Sequence, residues 1–193
     1  MAGIESVAEE FGKFVRHLRE TRPKDVEHIA KLSNGFEGWL KLEFFFWLGT
    51  SRGLEPSTFE KGEREIGLEY KVRLDKRGTD RDEKQCDLWV SSEPRKGFHY
   101  VELKALFANA NQNKVLGSAA DDFWYMSKIP TWYEPVSGNA IVVGVGFAED
   151  AAWKQAIKYV TEKAGLSHDM EPPSGGPVDG EGRVRYSVLT KRY

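Results

Sequence analysis

The chain has 193 residues, a length that supplies one domain with a full hydrophobic core but is short for two. Forty per cent of the residues are apolar and 12% are aromatic, a composition that argues against a disordered chain. The formal net charge of −2 excludes a globally basic surface, so a nucleic-acid partner has to meet a local positive patch.

Cysteine content and hydropathy favour a cytoplasmic location. Cys86 is the single cysteine, so neither an internal disulfide nor a cysteine zinc cluster can form, as expected in a reducing cytosol. The first fifteen residues carry three glutamates and lack the apolar core of a signal peptide. The longest apolar run, residues 44–48, is too short to cross a bilayer. We therefore expect no membrane partner.

Three helices are predicted near the start of the chain. Apolar residues recur at helical spacing over 4–19, which predicts an amphipathic helix. A shorter helix is predicted over 24–32, before the break at Ser33-Asn34-Gly35. Residues 36–48 are strongly apolar and predict a third helix that ends before Gly49 and packs against a sheet.

The remaining chain predicts strands and helices of a mixed sheet. An apolar period of two predicts a half-buried strand over 66–74, and the charged segment 75–84 is predicted to be a loop. The other predicted elements are strands over 85–91 and 98–106, a helix over 114–129, a buried strand over 140–147, a helix over 149–164, a mobile Gly- and Pro-rich loop over 165–182, and a strand over 183–190. This order predicts an α/β domain with a mixed central sheet flanked by helices.

Charged residues interrupt two of the predicted strands. Glu102 and Lys104 are two residues apart, so both side chains leave the same face of their strand, while apolar neighbours fill the other face. An acid and a lysine are poor strand formers and are costly to bury unpaired. The preceding strand carries Asp87, which a tight hairpin would bring close to Glu102. The simpler alternatives are an exposed ion pair for Glu102 and Lys104, and a turn-bonding role for Asp87.

Asp87, Glu102 and Lys104 together suit phosphodiester hydrolysis. Two converging carboxylates form an oxygen-ligand site of the kind that Mg²⁺ or Mn²⁺ prefers. Such a metal polarises a phosphoryl oxygen and generates a nucleophilic hydroxide from bound water. A neighbouring lysine can orient that water or stabilise charge on the phosphate. A lowered pKa would also allow the lysine to act as a general base.

One motif resembles the D…ExK core of the PD-(D/E)XK, or restriction-endonuclease-like, superfamily. In this motif Asp87 is followed, after fourteen intervening residues, by Glu102-Leu103-Lys104. The helix, buried strand and helix predicted after the ExK strand also resemble that family, over residues 36–160. Cys86 precedes Asp87 where the family pattern has proline, at a position that varies. The resemblance implies a three-layer restriction-endonuclease-like fold. It also implies a Mg²⁺- or Mn²⁺-dependent endonuclease in restriction, defence or repair, for which DNA is favoured over RNA as the substrate.

The resemblance further implies a metal-assisting glutamate on the helix before the sheet. Glu43 matches that place, because Leu40 and Trp47 flank it at helical spacing. Glu37 lies in the first turn, where the helix dipole alone explains an acid. The implied metal ligands are Asp87, Glu102 and Glu43, with Lys104 as the further catalytic residue. The implied division is one nuclease-like domain, 1–193, with N-terminal helices 1–48, a catalytic core 36–164 and a C-terminal loop and strand 165–193.

Other charged residues have simpler explanations. Asp121 and Asp122 are interpreted as acids at a helix start rather than as a second metal site. Lys114 is interpreted as a surface lysine rather than as a phosphate contact, and His99 is expected on the face opposite Glu102. Basic residues that could guide a phosphate backbone cluster at Lys71, Arg73, Lys76, Arg77 and Arg81, and at Arg183, Arg185, Lys191 and Arg192.

Two classes of function remain open from the sequence. The first is the nuclease, and the second is a non-catalytic nucleic-acid-binding or protein-interaction module of the same fold within a larger complex. No separate recognition domain fits in 193 residues, so sequence specificity would need loops, a homodimer or a partner protein. Binding of a divalent ion separates the two classes, because an enzyme of this kind gains thermal stability with Mn²⁺.

Overall fold

The structure, a computed structural model, describes residues 3–32, 35–56, 65–74, 79–93, 96–109, 112–147, 149–165, 173–179 and 181–193. The α-helices in these ranges are α1 Val7–Thr21, α2 Pro23–Ala30, α3 Phe36–Arg52, α4 Gln112–Met126 and α5 Asp150–Lys163. The strands are β1 Glu55–Pro56, β2 Glu65–Arg73, β3 Glu83–Ser91, β4 Phe98–Phe107, β5 Pro135–Val145, β6 Ser174–Pro177 and β7 Val184–Arg192. None of the helices in the described ranges is long and apolar enough to span a bilayer.

The described strands form one mixed sheet in the order β1-β2-β3-β4-β5-β7-β6. Strands β2, β3 and β4 form an antiparallel meander, and α4 connects β4 to the parallel strand β5. Strand β7 is antiparallel to both β5 and β6. The predicted α/β architecture with a mixed sheet is therefore confirmed.

Helices cover both faces of the sheet, and the side chains of β4 alternate between the two cores that result. Val101 and Leu103 join the core formed with α1 and α3. Leu106, on the opposite face, joins the core formed with α4 and α5. The central strands β4 and β5 are thus buried on both sides along most of their length.

Several element boundaries differ from the sequence predictions; strand β5, for example, begins at Pro135 and not at residue 140. Strand β3 begins at Glu83, so Lys84 belongs to a strand that pairs with β2 and not to the predicted loop. Helix α3 continues past Gly49 to Arg52 and ends at Gly53, which has a left-handed φ of 62° that suits a glycine at a helix C-terminus. The predicted mobile loop over 165–182 contains β6, which pairs with β7, while 166–172 and 180 lie outside the described residues.

Strands β3 and β4 separate halfway along their length. Their pairing runs from Ser91 opposite Phe98 to Leu88 opposite Val101 and stops there. Strand β3 nevertheless remains paired with β2 down to Glu83, and β4 remains paired with β5 up to Phe107. The segments 83–87 and 102–107 therefore diverge, and we call the space between them the wedge.

Two polar residues mark the point where the wedge begins. The backbone N–H of Leu103 donates to Oδ2 of Asp87 at 2.8 Å. The Asp87 side chain therefore replaces the backbone carbonyl of β3 that would accept this hydrogen bond in a continuous ladder. The second residue is Glu69, in the neighbouring strand β2, whose φ of 54° lies in the left-handed region. This conformation costs about 1 kcal/mol for a residue with a Cβ. Such strain is often found at functional sites.

Candidate active site

Four charged side chains from three elements meet in the wedge. Nζ of Lys84 lies 3.0 Å from Oε2 of Glu102 and 2.9 Å from Oδ1 of Asp122. Nζ of Lys104 lies 3.0 Å from Oε1 of Glu102 and 3.2 Å from Oδ2 of Asp122. Each lysine therefore bridges the same two carboxylates. Two positive and two negative groups balance one another, which is the condition for burying them together.

Asp87 lies at the narrow end of the wedge. Its Oδ2 accepts the Leu103 N–H at 2.8 Å, and its Oδ1 lies 3.1 Å from Nζ of Lys41 on α3. Lys41 also forms an ion pair with Glu69 on β2. Lys41 thus links Asp87 to the strained residue in the neighbouring strand, and the backbone of Leu103 links Asp87 to Glu102 and Lys104.

The carboxyl of Glu102 holds its proton more tightly than an ordinary glutamate. Burial is the largest cause, and the negative charge of Asp87 is the second; together they outweigh Lys84 and Lys104 and raise the pKa of Glu102 to about 7. The influence of Asp87 means that the two carboxylates act on one another across the wedge. A cation placed between them would relieve both the burial cost and the repulsion.

The pKa of Lys104, two residues further along β4, is also raised, but for a different reason. Burial by itself would lower the pKa of Lys104, but the charges of Glu102, Asp122 and Glu37 outweigh burial and raise its pKa. Lys104 is therefore a cation at neutral pH. The general-base role considered from the sequence would require a pKa shift in the other direction.

The structure brings Asp87, Glu102 and Lys104 together, as the sequence predicts, but not Glu43. Oε1 of Glu43 lies 2.6 Å from Nη1 of Arg22, at the start of α2. Glu37 instead lies near the wedge: its Oε1 is 4.0 Å from Nζ of Lys104, and its Oε2 accepts the Ala105 N–H at 2.9 Å. Glu37 and Lys41 are four residues apart and share the face of α3 that meets the wedge.

Sequence reasoning did not identify Lys84, Asp122 or Lys41 as members of the site. The interpretation of Asp122 as a helix-start acid is wrong, because α4 begins ten residues earlier, at Gln112. One signal was present: Asp122 has the helical spacing of Ala119 and Met126, which are both buried. His99, in contrast, contacts Ser137 and the carbonyl of Ile4, away from the wedge, as expected.

The oxygen donors of the wedge suit a hard divalent cation. Within the described ranges, no three histidine, cysteine, aspartate or glutamate side chains come close enough to form a metal site by themselves. Mg²⁺ does not need such a set, because it is commonly held by one or two carboxylates and keeps several waters. Oε2 of Glu102 is buried and accepts no hydrogen bond from the described residues, although Lys84 is nearby. Asp87 and Glu102 therefore fit this metal.

Comparisons of the chain with protein-family models, with curated proteins and with solved structures found no match. Function is therefore inferred from the geometry and charge of the wedge.

The raised pKa of Glu102 makes the stability of the metal-free protein depend on pH. The folded state binds this proton up to about pH 7, whereas the unfolded state releases it near pH 4.3, so the free energy of unfolding falls as the pH rises through this interval. In Glu102→Gln this contribution to the decrease is absent. Urea unfolding of both proteins in EDTA, between about pH 5 and pH 8, measures the difference. Parallel pH profiles for the two proteins would contradict the expectation.

Proposed function

We propose that the chain is a nuclease that hydrolyses phosphodiester bonds with the help of Mg²⁺ or Mn²⁺, and that DNA is its preferred substrate. The observation that carries the proposal is the convergence of Asp87 and Glu102 from neighbouring strands, with the cation Lys104 beside them. Both carboxylates are tied to the same short stretch of β4, because Asp87 accepts the N–H of the residue between Glu102 and Lys104.

Asp87 and Glu102 are the residues that would hold the metal. Glu37, rather than Glu43, is the α3 acid close enough to assist, because only Glu37 approaches Lys104. A bound Mg²⁺ supplies a Lewis acid for a phosphoryl oxygen and lowers the pKa of a coordinated water. The element order α3-β1-β2-β3-β4-α4-β5 supports the restriction-endonuclease-like fold that the ExK pattern implies.

Lys104 is proposed to stabilise the negative charge that develops on the phosphate during hydrolysis. Its ammonium group stays protonated and is held by Glu102 and Asp122, so it needs little reorganisation when charge develops. The wedge excludes much of the solvent, since the side chain of Lys104 is 19% exposed and that of Glu102 is 5% exposed. Charge stabilisation in such surroundings exceeds that in water.

The first experiment is a cleavage assay with plasmid, linear duplex, single-stranded DNA and RNA, each in Mg²⁺, Mn²⁺ or EDTA. The proposal expects cleavage of DNA that depends on the metal. Lys154→Ala is the matched control, because Lys154 is 76% exposed on α5 and outside the wedge. Failure to cleave any of the four substrates with either metal would count against the nuclease.

Metal binding is tested separately by thermal unfolding. We expect Mn²⁺ at about a hundred times its dissociation constant to stabilise the folded protein by about 2.7 kcal/mol, which corresponds to a rise of several degrees in Tm. Asp87→Asn should lose most of this rise, since it removes one of the two charged ligands. Glu43→Gln should keep it, because Glu43 contacts Arg22 instead. Equal shifts in the parent and in Asp87→Asn would place the metal elsewhere.

A second candidate function is favoured by one observation. The two lysines already neutralise Glu102 and Asp122, so these four charges balance without a metal. A charge-balanced cluster also suits a non-catalytic nucleic-acid-binding or protein-interaction module. That alternative predicts neither cleavage nor a Mn²⁺-induced rise in Tm, and the two experiments above distinguish the candidates.

A further inference from the structure

A polar groove adjoins the wedge on the side of α4 and α5. It encloses about 390 Å³, and Asp122 forms part of its wall. The same carboxylate contacts Lys84 and Lys104, so the groove and the wedge share one side chain. A strand that passes through the groove would therefore continue directly to the proposed reacting centre.

Three cations from three separate elements line this groove. Arg81 precedes β3 and has its guanidinium 4.3 Å from the ring centroid of Tyr125, which holds it in place. Lys114 is exposed in the first turn of α4. Lys163, in the last turn of α5, lies 3.5 Å from Oδ1 of Asp121. Cations that converge from unrelated parts of the chain suit an extended polyanion.

The groove also contains an exposed aromatic ring. Tyr159 is 44% exposed and lines the groove on the same helix as Lys163. Exposed rings beside a positively charged groove are the usual means of binding single-stranded nucleic acid, because each unpaired base can stack on them. Duplex DNA offers no free base face to such a ring.

We propose that this groove binds the strand that flanks the scissile phosphate, as an unpaired stretch of nucleic acid. Arg81, Lys114 and Lys163 contact its phosphates, and Tyr159 stacks on one of its bases. The inference rests on the proposed nuclease function, because the groove is placed relative to the site in the wedge. It also narrows the substrate class to single strands, frayed ends or gaps.

Fluorescence anisotropy tests the groove without depending on cleavage. The probes are a fluorescein-labelled single strand of mixed sequence and the duplex of the same length, both in Ca²⁺ in place of Mg²⁺. Lys114→Ala and Lys163→Ala are each expected to weaken binding about five-fold, and to reduce by about one the slope of log affinity against log salt concentration. Lys154→Ala makes the same charge change outside the groove on α5 and should alter affinity less than about two-fold.

Three further variants are expected to give results that a merely structural role would not. Asp121→Asn should tighten binding, because it removes the negative charge beside Lys163. Tyr159→Leu keeps an apolar side chain and should weaken binding of the single strand about ten-fold, with little effect on the duplex. Lys163→Arg, which keeps the charge, should restore most of the affinity lost in Lys163→Ala.

The outcomes separate this inference from the proposed function. If the parent cleaves DNA but the groove variants bind like the parent, the proposed role of the groove is overturned and the proposed nuclease function is retained. If the groove variants weaken binding as expected but the parent does not cleave, strand binding by the groove is supported and the proposed nuclease function is overturned. Equal losses of single-strand and duplex affinity in Tyr159→Leu would overturn base stacking. A parent that binds neither probe would overturn the inference.

Discussion

Lys104→Gln is expected to lower kcat for metal-dependent DNA cleavage by about a thousand-fold, with a much smaller change in KM. The substitution keeps most of the side-chain length and its hydrogen-bonding capacity but removes the positive charge. In the structure this charge lies 3.0 Å from Glu102 and 3.2 Å from Asp122, and it is the cation next to the two proposed metal ligands. The expected loss is concentrated in kcat because the charge is needed when the phosphate becomes more negative.

Two readouts separate a lost catalytic charge from a damaged fold. The Mn²⁺-induced rise in Tm should persist in Lys104→Gln, because Asp87 and Glu102 are both retained. Lys154→Ala, at an exposed site on α5, should cleave at the parental rate. A Lys104→Gln protein that still binds Mn²⁺ and cleaves within about ten-fold of the parent would show that this charge is not catalytic.

The elements that sequence reasoning predicted correctly are those in which one pattern dominates. Strand β5 contains the apolar run over 140–143 and α5 has a regular apolar stripe, so local patterns indicate both elements, although β5 begins at Pro135, five residues before its predicted start. The convergence of Asp87 with Glu102 could also be predicted, because both interrupt neighbouring antiparallel strands. These predictions needed no knowledge of how distant parts of the chain meet.

Lys84 could not be placed from the sequence for a physical reason. It lies in a charged run, where local composition predicts a loop, and its partners Glu102 and Asp122 come from β4 and α4. The free-energy cost of burying a lysine in a strand is offset only when those distant carboxylates are present. The start of β3 is thus decided by tertiary contacts and not by local propensity.

The choice between Glu37 and Glu43 depends on helix orientation, which periodicity leaves ambiguous. Helix α3 is apolar around much of its circumference, so several faces could have met the sheet. In the structure the face that carries the buried residues Phe36, Leu40 and Phe44 packs into the core, and Glu43 forms a partly exposed ion pair with Arg22 at the start of α2. Glu37 and Lys41 are thereby left on the face that meets the wedge.

Asp122→Leu is expected to lower the free energy of unfolding by about 3–5 kcal/mol, the usual loss when one partner of a buried ion pair is removed. The change leaves Lys84 and Lys104 to share the single carboxylate of Glu102, with Lys84 only 7% exposed. Lys84→Met is expected to lower the free energy of unfolding by a comparable amount. The charge imbalance is then negative, because Glu102 and Asp122 share Lys104. Urea unfolding with an unchanged m-value measures both losses.

The double variant Lys84→Met/Asp122→Leu tests whether charge balance is what the pair contributes. It restores equal numbers of buried positive and negative groups, leaving Lys104 with Glu102, and fills the space with apolar atoms. We expect it to be more stable than either single variant, with a coupling free energy of about 1–3 kcal/mol or more. Simple additivity of the two losses would mean that Lys84 and Asp122 stabilise the fold through independent contacts. The kcat for cleavage by a stable double variant tests whether the pair also positions Lys104. An unchanged kcat would mean that the pair is purely structural, and a lowered kcat would mean that it also positions Lys104.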